Sequence, residues 1–180
     1  MLVEKKSQRG LKIIDLGWGQ IMRELQKTKN SYTKVGFPEN GNLASNAEAD
    51  RESFEELIKV AAANEFGTAR IPERSFIRKS YDDNRAMLQR IVNDEWMKIV
   101  RGKSTTKKSL ERIGEWMTGK TRKTITEVQT PPNAPSTIAN KAAKIRNTGK
   151  KESFLAGTGN PLIDSGQMRQ SVQNIEVINE

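Results

Sequence analysis

Apolar residues recur at helical spacing along most of this chain, interrupted by two short stretches that alternate instead. Leu11, Ile14, Trp18, Ile21, Met22 and Leu25 form one stripe, which predicts an amphipathic helix over about 10–28. Gly17 and Gly19 weaken that helix by about 1 kcal/mol each relative to alanine. Tyr32 to Phe37 then alternates as a strand does, and Pro38 and the Asn40-Gly41 pair end it, so 39–46 is expected to be a mobile loop. Phe54, Leu57, Ile58 and Ala61 predict a helix over about 51–66. A longer one over about 77–100 carries Leu88, Ile91, Val92, Trp96 and Ile99 and stops at Gly102. The next, over about 105–128, shows Leu110, Ile113, Met117, Thr121 and Ile125 on one side and cations elsewhere.

The prolines at 131, 132 and 135 demand extended backbone, after which Ser136 is placed to cap a short helix over about 137–146. Residues 147–160, rich in glycine and lysine, read as a flexible loop. Asp164 or Ser165 is expected to cap a helical turn containing Met168, and Val172 to Ile178 alternates as a last strand. Two strands so distant in sequence are too few to stand alone. They must pair with each other, with a further strand or with a neighbouring subunit. The expectation is an α+β fold: a small antiparallel sheet packed with several long helices in one domain over 1–180, with a basic helical insert at about 103–130.

One junction stands out. Ala63 to Arg78 reads as a helix end, a stop at Gly67, a loop pinned by Pro72 and a new helix opening near Phe76. By spacing alone it is a well-formed helix–loop–helix connection, not a catalytic site.

Composition limits the chemistry. The 180 residues contain no cysteine and no histidine, so disulfides, thiolate nucleophiles, the usual neutral-pH base and the commonest metal ligand are all missing. No cofactor or metal is implied. Hard cations need only oxygen ligands, but Glu52, Glu55 and Glu56 lie opposite an apolar helix face and read as solvated. Asp82-Asp83 complements a helix start instead of forming a metal pair. The opening Met1-Leu2-Val3-Glu4-Lys5-Lys6 lacks a signal-like apolar core, and no run reaches the roughly 20 apolar residues that span a bilayer. The expectation is a soluble protein made in the cytoplasm, with no membrane partner.

Charge is uneven around a net +9: Glu48 to Asp83 holds nine acidic and six basic residues, Arg101 to Lys151 thirteen basic and three acidic. A basic stretch of this kind suits phosphate backbones, an acidic protein neighbour, or simply water. Hydrophobic content is low at 34%, against about 45–50% in soluble domains, so part of the surface is expected to need a partner.

Four segments carry a resemblance. Lys34-Val35-Gly36-Phe37, Asn64-Glu65-Phe66-Gly67-Thr68 with Ile71-Pro72-Glu73-Arg74-Ser75-Phe76-Ile77-Arg78, Pro135-Ser136-Thr137-Ile138-Ala139-Asn140-Lys141 and Pro161-Leu162-Ile163-Asp164-Ser165-Gly166 occur in this order. Together they resemble the tailed-bacteriophage neck and tail-completion proteins, including Mu-like virion morphogenesis and lambdoid neck-protein relatives. Glu73, where small residues are usual, and the basic insert depart from that pattern.

The resemblance implies a virion structural protein that is not an enzyme. It would form a homo-oligomeric ring, hexameric or dodecameric, that joins head and tail and meets other neck, connector and tail proteins, with DNA passing through it. In that picture Glu65, Arg70, Arg74 and Arg78, with Lys150 and Lys151, form salt bridges or subunit contacts, while Phe66, Ile71 and Phe76 pack beneath the loop. Val35, Gly36 and Phe37 set a core strand, Gly36 permitting close backbone approach; Gly67 and Pro72 shape the joint; Pro161, Leu162, Ile163, Asp164 and Gly166 set the turn into the last strand. A tail terminator that caps the tail tube, a basic DNA-binding protein and, more remotely, a carboxylate-dependent nuclease are the alternatives.

Overall fold

The computed structural model describes residues 3–6, 12–15, 17–38, 50–148, 159–163 and 166–179, with side chains over 17–38, 54–143, 159–163 and 166–179. Among them the fold is α+β and mostly helical. In chain order the elements are β1 (Val3–Lys6), β2 (Lys12–Asp15), α1 (Trp18–Thr28), β3 (Tyr32–Gly36), α2 (Asp50–Phe66), α3 (Phe76–Val100), α4 (Thr106–Glu127), α5 (Pro135–Thr148), α6 (Gln167–Ser171) and β4 (Gln173–Val177). β1 and β2 pair antiparallel with Glu4 opposite Ile14, and β3 pairs with β4 in a second two-stranded sheet.

The N-terminal stripe is therefore not one helix: 12–15 is a strand, and α1 begins only after Gly17, whose φ of 87° places it in the left-handed region. Ile13-Ile14 fits either period, and the β-branched pair follows its strand preference once Gly17 breaks the backbone path. Farther along, α5 opens at Pro135, so proline takes the first helical position where its missing N–H costs nothing, and Ser136 lies inside the first turn. α6 is preceded by Gly166, also left-handed, and not by a side-chain cap. Of the loop expected over 147–160, residues 147 and 148 belong to the last turn of α5 and Asn160 is buried; 149–158, the expected loop at 39–46, and Asp164 and Ser165 lie outside the described residues.

Two compact units divide the chain. The first comprises Met1–Lys34, Ala86–Glu115 and Asn174–Glu180. Here the C-terminus of α3 closes in a Schellman motif, Lys103 N donating to Lys98 O at 2.8 Å and Gly102 N to Ile99 O at 2.9 Å. α4 then starts against α1: Thr106 N donates to the Glu24 carboxylate and Thr106 Oγ1 to Glu24 O, both at 2.8 Å. Leu88, Ile91, Glu95 and Ile99 turn inward on α3, whereas Val92 and Trp96, expected on the same apolar side, are exposed.

Glu95 is buried and accepts hydrogen bonds from Lys98, Ser109 Oγ (3.1 Å) and Arg112 (3.3 Å). Burial pushes its carboxyl upward, but the hydrogen bonds from Lys98, Ser109 and Arg112 outweigh this and hold it below the usual value. A depressed carboxylate adds stability above its unfolded pKa, near 4.3 in model peptides, and loses that contribution as pH falls through the folded pKa. Denaturant midpoints measured from pH 7 down to about pH 3 are therefore expected to fall more steeply for the parent than for Glu95→Gln.

The second unit comprises Val35–Arg85 and Trp116–Gln173. Its core is Phe54, Leu57 and Ala61 from α2, Phe76 from α3, Ile125 and Val128 from the end of α4, and Leu162, Met168 and Val172 from the C-terminal segment. Val35 and Phe37 pack against it, Phe37 meeting Phe76 edge-on with centroids 6.2 Å apart. The buried face of α4 is unusually rich in threonine. Thr121 and Thr124 satisfy their hydroxyls on Met117 O and Lys120 O, and Ser80 meets Thr121 at 3.2 Å. No helix among the described residues is long and apolar enough to cross a membrane.

Candidate functional site

The joint between α2 and α3 is built around one carboxylate. Glu65, 4% exposed, reaches across the loop to the first turn of α3. Its Oε2 accepts from Phe76 N at 2.7 Å and Ile77 N at 2.9 Å, and its Oε1 from Arg78 N and Arg78 Nε, both at 3.1 Å. Three of the amides that a helix start leaves without intrahelical partners thus share one charged acceptor at the positive end of the helix dipole. Arg78 also pairs with Glu73 at 2.8 Å and lies over the Phe66 ring, 5.3 Å from its centroid. The hydrogen bond to Glu65 raises the Arg78 guanidinium above its ordinary value, burial offsetting part of that.

Arg74 is the second anchor. Its Nε donates to Pro131 O at 2.7 Å, Nη2 to Pro132 O at 2.9 Å and Nη1 to Asn64 Oδ1 at 3.2 Å. Burial lowers its pKa from the ordinary arginine value. The diproline segment has no N–H to offer, so its carbonyls serve as acceptors for the guanidinium of Arg74, a residue that is only 6% exposed. Arg74 N closes the end of α2 by donating to Asn64 O at 2.7 Å. Gly67 has φ 74°, and a Cβ there would lie 3.0 Å from Glu73 N, so the loop folds back over a position that only glycine fits without strain.

A parallel arrangement holds the C-terminal motif. Asn160 Oδ1 accepts from Leu162 N at 2.8 Å, an Asx turn, while its amide donates to Ile125 O and Thr126 O at the end of α4. Lys141, buried on α5, donates to Asn160 O at 3.0 Å and to Ile163 O. The four motif segments thus meet in one unit: Phe37 of the first on Phe76 of the second, Arg74 of the second on the diproline that leads into the third, and Lys141 of the third on Ile163 of the fourth.

Of the residues expected to make salt bridges or subunit contacts, Glu65 and Arg74 are buried within the chain, Arg70 and Arg78 are exposed, and Lys150 and Lys151 lie outside the described residues. Phe66, expected beneath the loop, is instead 69% exposed, because Glu65 next to it on α2 takes the inward direction. Ile71 is half-buried and Phe76 fully buried. Among the described residues no atom lies within 4 Å of where a Cβ on Gly36 would sit. Asn64, Lys141 and Asn160 were not singled out by chemistry. Asn160 carried the one local signal, as an Asn preceding proline. Among the described residues no group of three or more Asp or Glu side chains could hold a metal ion. Comparison with protein-family models, with curated proteins and with solved structures finds no match.

Proposed function

We propose that this chain is a structural protein of a tailed-phage virion, assembling as a homo-oligomeric ring in the neck where head meets tail. The observation that carries the reading is the convergence of the four motif segments on one hydrogen-bonded unit whose charged side chains serve to hold a loop in shape. A joint tied in this way keeps its outer surface fixed, as repeated docking of identical copies requires. That outer surface carries Phe66 beneath Arg78, and Arg70 on the same loop is exposed.

In the other unit, Val92, Trp96 and Val100 lie one turn apart along α3 and are each more than one-third exposed. A solvent-facing apolar stripe of this spacing suits a helix-facing neighbour. Neighbouring copies, and the connector and tail proteins on either side, are the partners in this reading, and the virion is its location. The role is joining, without catalysis.

Electron microscopy of lysates from a phage lacking only this protein, with complementation, tests it. Filled heads beside unattached tails of normal length are the expected result. Tails of variable length would assign a terminator that caps the tail tube, and normal infectious particles would overturn both roles.

A further inference from the structure

In the second unit, one face of α4 and the end of α6 enclose an open cleft of about 560 Å³ lined by Gly119, Arg122, Lys123, Thr126, Arg169 and Gln170. Gly119, Arg122, Lys123 and Thr126 stand at helical spacing, so they form one continuous strip. The lining holds three cations and two neutral polar side chains, with no carboxylate, aromatic ring or aliphatic side chain. Arg122 fastens the two walls together, its Nη2 donating to Val172 O at 2.8 Å and Gln170 O at 3.2 Å. The rest of that guanidinium, and the Arg169 side chain, have no hydrogen bond or ion pair among the described residues. Lys123 pairs with Glu127 at the rim at 3.4 Å, but both side chains are more than 60% exposed, so water and salt compete readily for that pair. Lys120, one turn back along α4 from Lys123, lies over the Trp116 ring.

We propose that this cleft binds the phosphodiester backbone of duplex DNA. Guanidinium forks match the non-bridging phosphate oxygens, and an arginine anchored to the far wall shares the cleft with two further cations. The lining offers cations and hydrogen-bond donors but no aliphatic or aromatic residue for the apolar side chains of an acidic protein segment to pack on. Single-stranded nucleic acid would find no ring to stack on. What remains is recognition of the backbone alone, independent of base sequence. Binding of this kind does not depend on ring assembly.

Fluorescence anisotropy with a labelled duplex of mixed sequence, read between 50 and 200 mM salt, tests it. Lys123→Ala/Arg169→Ala is expected to make the slope of log K against log salt shallower by about 1.8, since each phosphate contact contributes about 0.9. Between those salt concentrations the double variant would then lose about tenfold less affinity than the parent. Lys59→Ala/Lys79→Ala removes the same charge from exposed positions on α2 and α3 and is expected to keep the parental slope.

Gly119→Glu gives a second reading. Its Cβ position has nothing within 4 Å, so the new carboxylate enters the open cleft while the helix gains a better helix former. Weaker binding together with a raised melting temperature is expected. The proposal is overturned if the parent does not bind duplex at 50 mM salt, or if the control pair flattens the slope as much as the cleft pair. It is equally overturned if poly-glutamate or inorganic phosphate displaces the protein as well as unlabelled duplex does.

Discussion

Glu65→Ala is expected to remove about 2–3 kcal/mol of folding stability, the range for losing hydrogen bonds to a charged group; Arg78 is itself exposed, so no buried cation is left behind. The carboxylate accepts from three consecutive backbone amides and from Arg78 Nε, so its loss strands several donors at once. Losing a single helix cap costs about 0.5–2 kcal/mol. Glu65→Gln keeps the shape and one acceptor oxygen but loses the charge at the helix start and one side of the fork, and is expected to recover about half of the loss. Urea unfolding separates the two variants, with the m-value checking that both still unfold as the parent does. A loss below about 1 kcal/mol for alanine would mean that water replaces the carboxylate, and the joint would then not be held as described. Because Arg78 and Phe66 sit directly over this network, a loosened joint should also blur the surface offered to a neighbouring copy.

Gly114→Ala should cost about 2 kcal/mol net, although alanine is about 1 kcal/mol better than glycine inside a helix. The reason is space. A Cβ at position 114 would sit 2.6 Å from Thr33 Oγ1 and 2.8 Å from both Cβ and Nδ2 of Asn174. These atoms are close to the backbone of β3 and β4, so relief requires the strands to move and not just a side chain to swing. Thr33 Oγ1 is already buried without a hydrogen-bond partner, which leaves no slack on that side.

Gly119→Ala, on the same helix with nothing within 4 Å, is the matched control and should gain about 0.5–1 kcal/mol. Thermal or urea unfolding of the pair decides the matter: equal signs would show that the contact at Gly114 relaxes without cost. Thr33→Ala in the Gly114→Ala background is expected to restore part of the loss, since the two sites touch.

Helix content was legible wherever a long apolar period ended at a glycine. The Phe54-Leu57-Ile58-Ala61 series and the stops at Gly67 and Gly102 define α2 and α3 to within a residue or two, because a helix of that length must bury one stripe and glycine alone takes the left-handed stop at little cost. The first strands escaped notice because Lys12–Asp15 is too short for periodicity to tell a strand from a helical turn. α3 shows the opposite problem. Apolar residues occur nearly all round its second half, so spacing could not say that Glu95 would face inward and Trp96 outward; that choice belongs to Ser109 and Arg112 on another helix.

The candidate site divides along the same line. Sequence by itself determined the joint as a joint and the extended diproline, since each follows from backbone sterics within a few neighbouring residues. Only the tertiary structure decided which partners the charges take. Arg74 finds its carbonyls 57 and 58 residues away, Lys141 finds Asn160 O 19 residues on, and the basic cleft forms because α6 returns beside α4. Buried polar groups must be satisfied by whatever packing brings near them, and that proximity is a property of the folded chain, not of any local pattern.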